Sequence, residues 1–599
     1  MTDGQETIKF GMGASLLRLE DERFLTGKGR YVADMMPQGA LRGFVLRAAM
    51  AHAHFRLSGL DEARAMPGVR LVLTAEDCAS LGPMPHRSRV KDADGNAITG
   101  HPRPLIAEET VRHVGEPMAY IVAETLDAAR DAAEVLLVDY EALPVAASIE
   151  AALGEDAPVL WADAPGNVAF RHAHGDRAAC DAAFENAARI VALDLTNNRL
   201  IANYMEPRGC VALPDAEGGA MLAHIPSQNA MDMRAILSGN VLKIPAEELF
   251  VVTGDVGGGF GPKLFAYAES ALTILAARRL GAPVAWVQER SEHFLMDAQG
   301  RDHVSRAEMA LDEAGRFLGL RLDIKANVGA YLSQFASFIP WVGPSMATGL
   351  YDIPALDCRV TAVYSNTVPL DAYRGAGRPE AAYLIERFVD VIAAETGIDR
   401  FELRRRNFIR PEQLPYRTQT KRVYDTGDFR GHLDRALEKI DAEGFSARRQ
   451  ESLSRGRLRG LGVASYVEAC AFPSVEGAEA ILTEDGLVEL LIGTQSNGQG
   501  HETAYAQIAA AHLGLSIDRI RVIQGDTRRI AKGGGTGGSR SIPIGAVASD
   551  RAAIALAEVI RKAAGAELEA APEDIELADG AARIVGTDRL ILLADLAAR

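Results

Sequence analysis

Three glycine-rich segments limit how this chain can fold. They read TGDVGGGFGPK at 253–263, GTQSNGQGHE at 493–502 and GGGTGGSRS at 533–541. Runs of this kind do not persist inside a helix or strand, because glycine loses more backbone freedom on ordering than any other residue. They predict turns. The first follows the apolar run Phe250-Val251-Val252 and the second follows a strand-like run at 487–492. A glycine turn after a strand lets backbone N–H groups approach an anion closely. The common nucleotide codes do not fit the first loop. The pattern G-x-x-x-x-G-K-[ST] fails because Lys263 follows Pro262 and precedes Leu264, and G-x-G-x-x-G fails at Pro262. The third segment meets G-x-G-x-x-G formally through Gly533, Gly535 and Gly538. It does not directly follow its strand at 520–523, and no acidic residue ends a second strand at the required distance, so it reads as a chance match.

A chain of 599 residues exceeds what one hydrophobic core serves, so several domains are expected. With 64 basic against 81 acidic residues the net charge is −17, which argues against a general nucleic-acid binder. Arg404-Arg405-Arg406 is a local exception and reads as a solvated helix face. The first thirty residues carry Asp3, Glu6, Glu20, Asp21 and Glu22 and lack an apolar secretory core. No apolar run approaches a membrane span. A soluble, cytoplasmic protein is expected. The five cysteines, Cys78, Cys180, Cys210, Cys358 and Cys470, are scattered with no C-x-x-C, which argues against a zinc site or a cysteine-ligated iron–sulfur cluster in this chain. The H-x-H pairs His52/His54 and His172/His174 lack a completing carboxylate or cysteine and read as structural or surface residues. No side chain is read as a metal ligand.

Strands are expected at 42–47, 119–123, 250–252, 284–287, 487–492 and 520–523, and helices at 126–137, 266–280, 379–396 and 545–563. Pro379 fits a first helical turn. Composition shifts near Pro144 and along the Pro- and Arg-rich stretch 410–422, which reads as a linker or extended crossing. The expected architecture is a mixed α/β, α+β multidomain chain divided at 1–145, 146–415 and 416–599. Gln228, Gln499, His501, Thr536, Ser539, Arg540 and Ser541 accompany the glycine loops, and amide and hydroxyl groups with backbone N–H groups suit a large, polar, anionic cofactor.

Five motifs then occur in a telling order: Met205-Glu206-Pro207-Arg208, Gly257-Gly258-Gly259-Phe260-Gly261, Ala372-Tyr373-Arg374-Gly375-Ala376-Gly377-Arg378-Pro379-Glu380, Gly498-Gln499-Gly500-His501-Glu502-Thr503 and Gly537-Gly538-Ser539-Arg540-Ser541. Together they resemble the molybdopterin-binding large subunit of the xanthine oxidase family of molybdenum hydroxylases. Arg23-Phe24-Leu25-Thr26-Gly27 and Val114-Gly115-Glu116-Pro117 are similar to that family's opening α/β hammerhead domain. The resemblance covers essentially the whole chain. It implies that Gln228 and Arg374 face the reacting centre, and that Gly258, Gly259, Phe260 and Gly261 form the loop beside the metal. It implies that Gln499, Gly500 and His501, with Thr536 to Ser541, grip the pterin and its phosphate-linked nucleotide. The glycines would clear space for that cofactor.

The implied activity is hydroxylation of an aldehyde or aromatic N-heterocycle with oxygen from water, through a molybdenum cofactor in its cytosine dinucleotide form. Electrons would leave through a small [2Fe-2S] subunit and an FAD subunit on separate chains, in a dimer of heterotrimers. Three departures shape the expectation. Gly375 stands where copper-dependent carbon monoxide dehydrogenases carry a cysteine, and Leu264 where purine-oxidising relatives carry a glutamate. The family's G-x-G-E glutamate base is not met before Arg599. That segment is expected either on another polypeptide or beyond residue 599, with residues 1–599 inactive alone. The alternatives are a non-catalytic cofactor-binding homologue and a nicotinamide-dependent dehydrogenase built on Gly533–Gly538.

Overall fold

The computed structural model describes residues 11–215, 219–471 and 475–599. Its largest sheet has seven strands in the order Leu249–Val252, Met221–His224, Gly209–Pro214, Val284–Val287, Leu41–Arg47, Pro117–Ala123 and Val69–Leu73. The run Pro117–Ala123 is apolar at successive positions because it is buried on both faces. Leu41–Arg47 pairs in parallel with Val284–Val287, so strands from either side of residue 145 share one sheet. Helix Leu126–Val135, capped where Thr125 accepts from the Ala128 N–H, covers the N-terminal half with Ala129, Ala132 and Ala133. It stops two residues earlier than expected. Leu137–Ala142 instead pairs as a strand with Ala53–Ser58.

A five-stranded sheet follows, ordered Val168–Gly175, Ala355–Tyr364, Phe317–Gly329, His303–Leu311 and Arg189–Asn197. Helix Arg378–Thr396, with Pro379 in its first turn, packs Leu384, Phe388, Val389 and Ile392 into this sheet's core. The arginine run at 404–406 departs from its expected solvated state. Arg404 is fully buried, donating to Glu386 Oε2 at 3.0 Å and Asp390 Oδ1 at 2.9 Å. Helix Arg400–Asn407 lies against helix Arg378–Thr396, and its periodicity turns one arginine of three inward. Nor is 410–422 a free linker: a short hairpin pairs Tyr416–Arg417 with Val423–Tyr424, and Arg422 donates to Ser345 Oγ at 2.8 Å.

The last part holds the sheet Ala478–Leu482, Val488–Ile492, Ile520–Ile523 and the long helix Val547–Leu568, which a π-turn over Ser541–Ala546 leads in. Residues 524–532 separate strand Ile520–Ile523 from Gly533, so the third loop lacks the strand–turn–helix setting of a dinucleotide fold.

Helix Ala268–Leu280 is buried on nearly every side, so it runs through the interior rather than along its edge. It brings Glu269 into a set of buried charges. Glu269 accepts from Arg47 at 2.9 Å and Arg208 at 3.3 Å, and Arg208 Nε donates to Asp297 at 2.7 Å. Burial acts to raise the Glu269 carboxyl, but Arg208 and Arg47 outweigh it and hold it down at about 2. A carboxylate lowered on folding contributes stability that is present above its unfolded value and is lost as pH falls through its folded value. Glu269→Gln is therefore expected to lower unfolding free energy at pH 7 by roughly 3 kcal/mol, as two buried guanidinium groups lose the carboxylate they share. In urea titrations the gap from the parent should shrink between about pH 4.5 and pH 2; a gap constant with pH would exclude this role.

Candidate cofactor site

The first glycine loop leaves strand Leu249–Val252 and turns under constraint. Gly258 and Gly261 take φ of 93° and 111°, and Phe260 between them takes φ of 52°, a left-handed conformation rare for a bulky residue. What sustains it is the floor beneath. Glu206 accepts from the Gly257 N–H at 2.9 Å, the Val32 N–H at 3.1 Å and Lys263 Nζ at 2.9 Å. Lys263 is itself buried over the Tyr204 ring, and burial brings its ammonium down to about 8 against the opposing pull of Glu206. The outcome is a rigid turn that leaves the Phe260 ring 44% exposed.

Gln228 joins this loop to the third. Its Oε1 accepts from the Gly261 N–H at 2.8 Å, and its Nε2 donates to the Thr536 carbonyl at 2.9 Å. The Thr536 N–H returns a bond to the Gln228 carbonyl at 2.8 Å. The second loop enters through the same residue, since the Gln495 N–H donates to Thr536 Oγ1 at 2.9 Å. Three loops distant in sequence thus meet at Gln228 and Thr536.

Around that junction several buried polar atoms have no partner among the described residues: both amide atoms of Gln495, Asn497 Oδ1 and His501 Nδ1. Such groups are costly unless a ligand or water answers them. Helix His501–Leu513 begins here with Gly500 as its N-cap and no side-chain cap, leaving first-turn N–H groups for an anion. Burial pushes His501 down to about 4, so it stands neutral at pH 7. The open space beside Gly498 adjoins the same turn. Unanswered amides, a neutral imidazole and a bare helix N-terminus are the donors and acceptors that a pterin ring and its phosphates need.

Across from Phe260 lies the Arg374 loop. The Arg374 N–H donates to the Phe260 carbonyl at 2.8 Å, and its exposed guanidinium stands 5.6 Å from the Phe260 ring centroid. Arg301 fixes the loop from behind, donating to the carbonyls of Tyr373 at 3.1 Å and Arg374 at 2.7 Å and pairing with Glu380. Leu264, Phe265, Phe335 and Ala372 make an apolar wall beside it.

The residues singled out in the sequence gather here, in roles that differ from one another. Gln228, Phe260, Gly261 and Thr536 form the junction itself. Gly500 and His501 edge the open turn, and Gln499 accepts from the Asn497 N–H within it. Ser539 is exposed, and Ser541 faces Thr536 at 3.3 Å. Arg540 is engaged inside the protein, bridging Glu476 and the Gly535 carbonyl, and so braces the third loop. Most of the glycines also work differently from expectation. A Cβ at Gly259 would lie 2.7 Å from Gln228, and one at Gly261 would lie 2.2 Å from the Ala372 carbonyl. They let loops pack on one another, whereas space stays open at Gly498 and a Cβ at Gly537 would meet only Leu264 at 3.7 Å. Sequence reading missed Gln495, Asn497 and the Glu206–Lys263 pair. Gln495 and Asn497 lie inside a quoted glycine segment, so their amides were the available signal.

The histidine pairs lie elsewhere. His52 meets the Pro144 carbonyl at 2.7 Å, and His172 and His174 lie edge to face near Trp341. Among the described residues no three His, Cys, Asp or Glu side chains come together as a metal-ligand set, and no helix is long and apolar enough to cross a membrane.

Comparison with known proteins places this geometry in a class. Residues 160–408 and 435–599 each match the molybdopterin cofactor-binding domain, and residues 26–144 match the aldehyde oxidase and xanthine dehydrogenase a/b hammerhead domain. The chain is 35% identical to the carbon monoxide dehydrogenase large chain of Hydrogenophaga pseudoflava, over 99% of this chain and 77% of that one. It is 32% identical to the nicotine 6-hydroxylase large subunit of Paenarthrobacter nicotinovorans, over 98% and 73%. The solved quinoline 2-oxidoreductase of Pseudomonas putida 86 superposes with a TM-score of 0.88 at 32% identity, over 98% of this chain and 75% of that one. The fold is that of a molybdenum-dependent oxidoreductase. The chain belongs to the molybdopterin-binding large subunits of the xanthine dehydrogenase and carbon monoxide dehydrogenase family.

Gln228→Ala should free the Gly261 N–H and the Thr536 carbonyl, at roughly 1–3 kcal/mol for each group left unpaired. Hydrogen exchange read by mass spectrometry should then speed up at 257–261 and 533–541 together. Gly259→Val, which drives a side chain into Gln228, should reproduce the pattern; faster exchange at one loop only would show that the loops are not joined there.

Proposed function

We propose that this chain is the cofactor-binding subunit of a hydroxylase whose substrate is an aromatic N-heterocycle or an aldehyde, with the heterocycle favoured. The observation that carries the choice is the backbone at Gly375. Its φ is 94°, and a Cβ there would fall 2.2 Å from Pro379. A cysteine able to hold copper would strain the turn and strike the helix start, which speaks against carbon monoxide as substrate. The exposed Phe260 ring offers a stacking face, Arg374 offers a donor to a ring nitrogen or carbonyl, and the wall around Leu264 is apolar. Leu264 supplies no carboxylate to pair with a purine.

When bound, the molybdenum cofactor, in the cytosine dinucleotide form on this reading, supplies two-electron oxidation of a carbon centre with oxygen taken from water. The chain's own part is to bind and orient. Gln495, Asn497, His501 and the first-turn N–H groups after Gly500 hold the pterin and its phosphates, with Gln499, Ser539 and Ser541 along the edge. Gln228 keeps one Nε2 hydrogen for the metal end, beside Gly258, Gly259, Phe260 and Gly261, while Phe260 and Arg374 align the substrate. Proton removal falls to a base outside residues 1–599. Glu206 is engaged with Lys263, Glu380 with Arg301 and Glu476 with Arg540, so each of these carboxylates already serves a cationic partner within the fold. A glutamate in a G-x-G-E segment, a motif that does not occur within residues 1–599, would fill that role. A [2Fe-2S] subunit and an FAD subunit, in a cytoplasmic dimer of heterotrimers, would supply the onward route for electrons.

The experiment is purification from the native host under mild conditions, with metal and nucleotide analysis. About one molybdenum and one cytidine monophosphate per chain are expected on acid release. Flavin and iron–sulfur absorbance should co-elute. The purified complex should turn over pyridine- or quinoline-type substrates and not carbon monoxide, and residues 1–599 tested alone should turn over neither. Bound nicotinamide dinucleotide without molybdenum would overturn the reading.

A further inference from the structure

Arg23 lies between two loops of the site although it belongs to neither. Its Nη2 donates to Asp255 Oδ1 at 2.7 Å and to Glu502 Oε1 at 2.5 Å, its Nη1 donates to Glu502 Oε2 at 2.7 Å, and its Nε reaches Asp255 at 3.2 Å. Asp255 belongs to the first glycine loop, and Glu502 opens the helix that follows the second. Asp255 and Glu502 lie 232 and 479 positions from Arg23 in sequence.

The segment carrying Arg23 runs along the outside of that helix. The Leu19 N–H donates to Thr503 Oγ1 at 2.8 Å, Thr503 Oγ1 donates to Glu20 Oε2 at 2.6 Å, and Gln507 donates to the carbonyls of Gly11 and Ala14. On the other side Asp255 is held by the Arg30 N–H at 2.8 Å and gives its own N–H to the Arg30 carbonyl at 3.0 Å. Residues 11–30 therefore form a band fastened to the helix at one end and to the first loop at the other. A planar guanidinium suits the junction, because its fork of donors serves two carboxylates at once where a lysine serves as one point charge.

We propose that Arg23 is a positioning residue that fastens residues 11–30 as a strap across the first and second glycine loops, and that this fastening sets how long the cofactor stays bound. The proposal rests on the functional reading above. Opening the junction lets the Asp255 loop and the His501 turn separate, and both contribute groups to the same ligand. Release of that ligand then follows the local opening of the strap rather than global unfolding.

The test uses the cofactor-loaded complex and follows pterin fluorescence in filtrates at a temperature well below melting. Arg23→Ala and Arg23→Lys should each speed release at least about tenfold, the loss of one strong paired contact. Asp255→Asn and Glu502→Gln should also speed it, and neither should add to Arg23→Ala. Arg306→Ala, which removes a surface pair with Asp194, should leave the rate unchanged. In the cofactor-free chain, hydrogen exchange at 253–263 and 495–505 should rise together in the Arg23 variants. If Arg23→Ala fails to fold, Arg23→Lys and Asp255→Asn decide the matter. A lowered melting temperature with release at the parental rate would reduce Arg23 to a structural pair and overturn the proposal. A parental chain that carries no pterin at all would overturn the functional reading and the retention role with it.

Discussion

The junction at Gln228 and Thr536 is the contact on which the site depends. Each glycine loop alone is a turn with few side chains to pack. Two bonds from one amide, with the return bond from Thr536 and the Gln495 N–H on Thr536 Oγ1, convert the three into one surface. The interaction is short-ranged and directional, so it tolerates little displacement of any partner. That explains why glycine is needed at 259 and 261: a side chain at either position would push the loops past hydrogen-bonding distance.

Beneath the junction the protein accepts buried charge in place of apolar packing. Glu269, Asp297, Arg208 and Lys263 would each be unfavourable in isolation, and pairing does little more than offset their desolvation. Their value lies in geometry. Glu206 accepts from two backbone N–H groups and an ammonium at once because its two oxygens are surrounded by donors. The strained φ of Phe260 is the counterpart of that rigidity, and it leaves the ring half-exposed beside Arg374.

Much of this architecture is legible in the amino-acid sequence. Strands with continuous apolar character, such as Pro117–Ala123, and helices with clear signals, such as Arg378–Thr396, fall where periodicity places them. Less legible are features that depend on what packs alongside. Arg404 reads as a surface residue because charge is normally solvated, and only the neighbouring Glu386 and Asp390 make its burial stable. Arg540 reads as one of the residues gripping a cofactor, and only the fold shows that it also pairs with Glu476, 64 positions away. Gln495 and Asn497 stand out only once their amides prove buried and unanswered.

Local chemistry in the chain determined which segments are strands, helices and turns, and the order of the glycine and Arg374 motifs pointed to the family. Those are properties of short windows, where propensity, apolar period and turn residues act within a few positions. The tertiary structure alone decided which loops touch, which charges are buried, and that Arg23 bridges partners 232 and 479 positions away. Hydrogen bonds and ion pairs form at about 3 Å whatever the separation along the chain, so no window of sequence contains them.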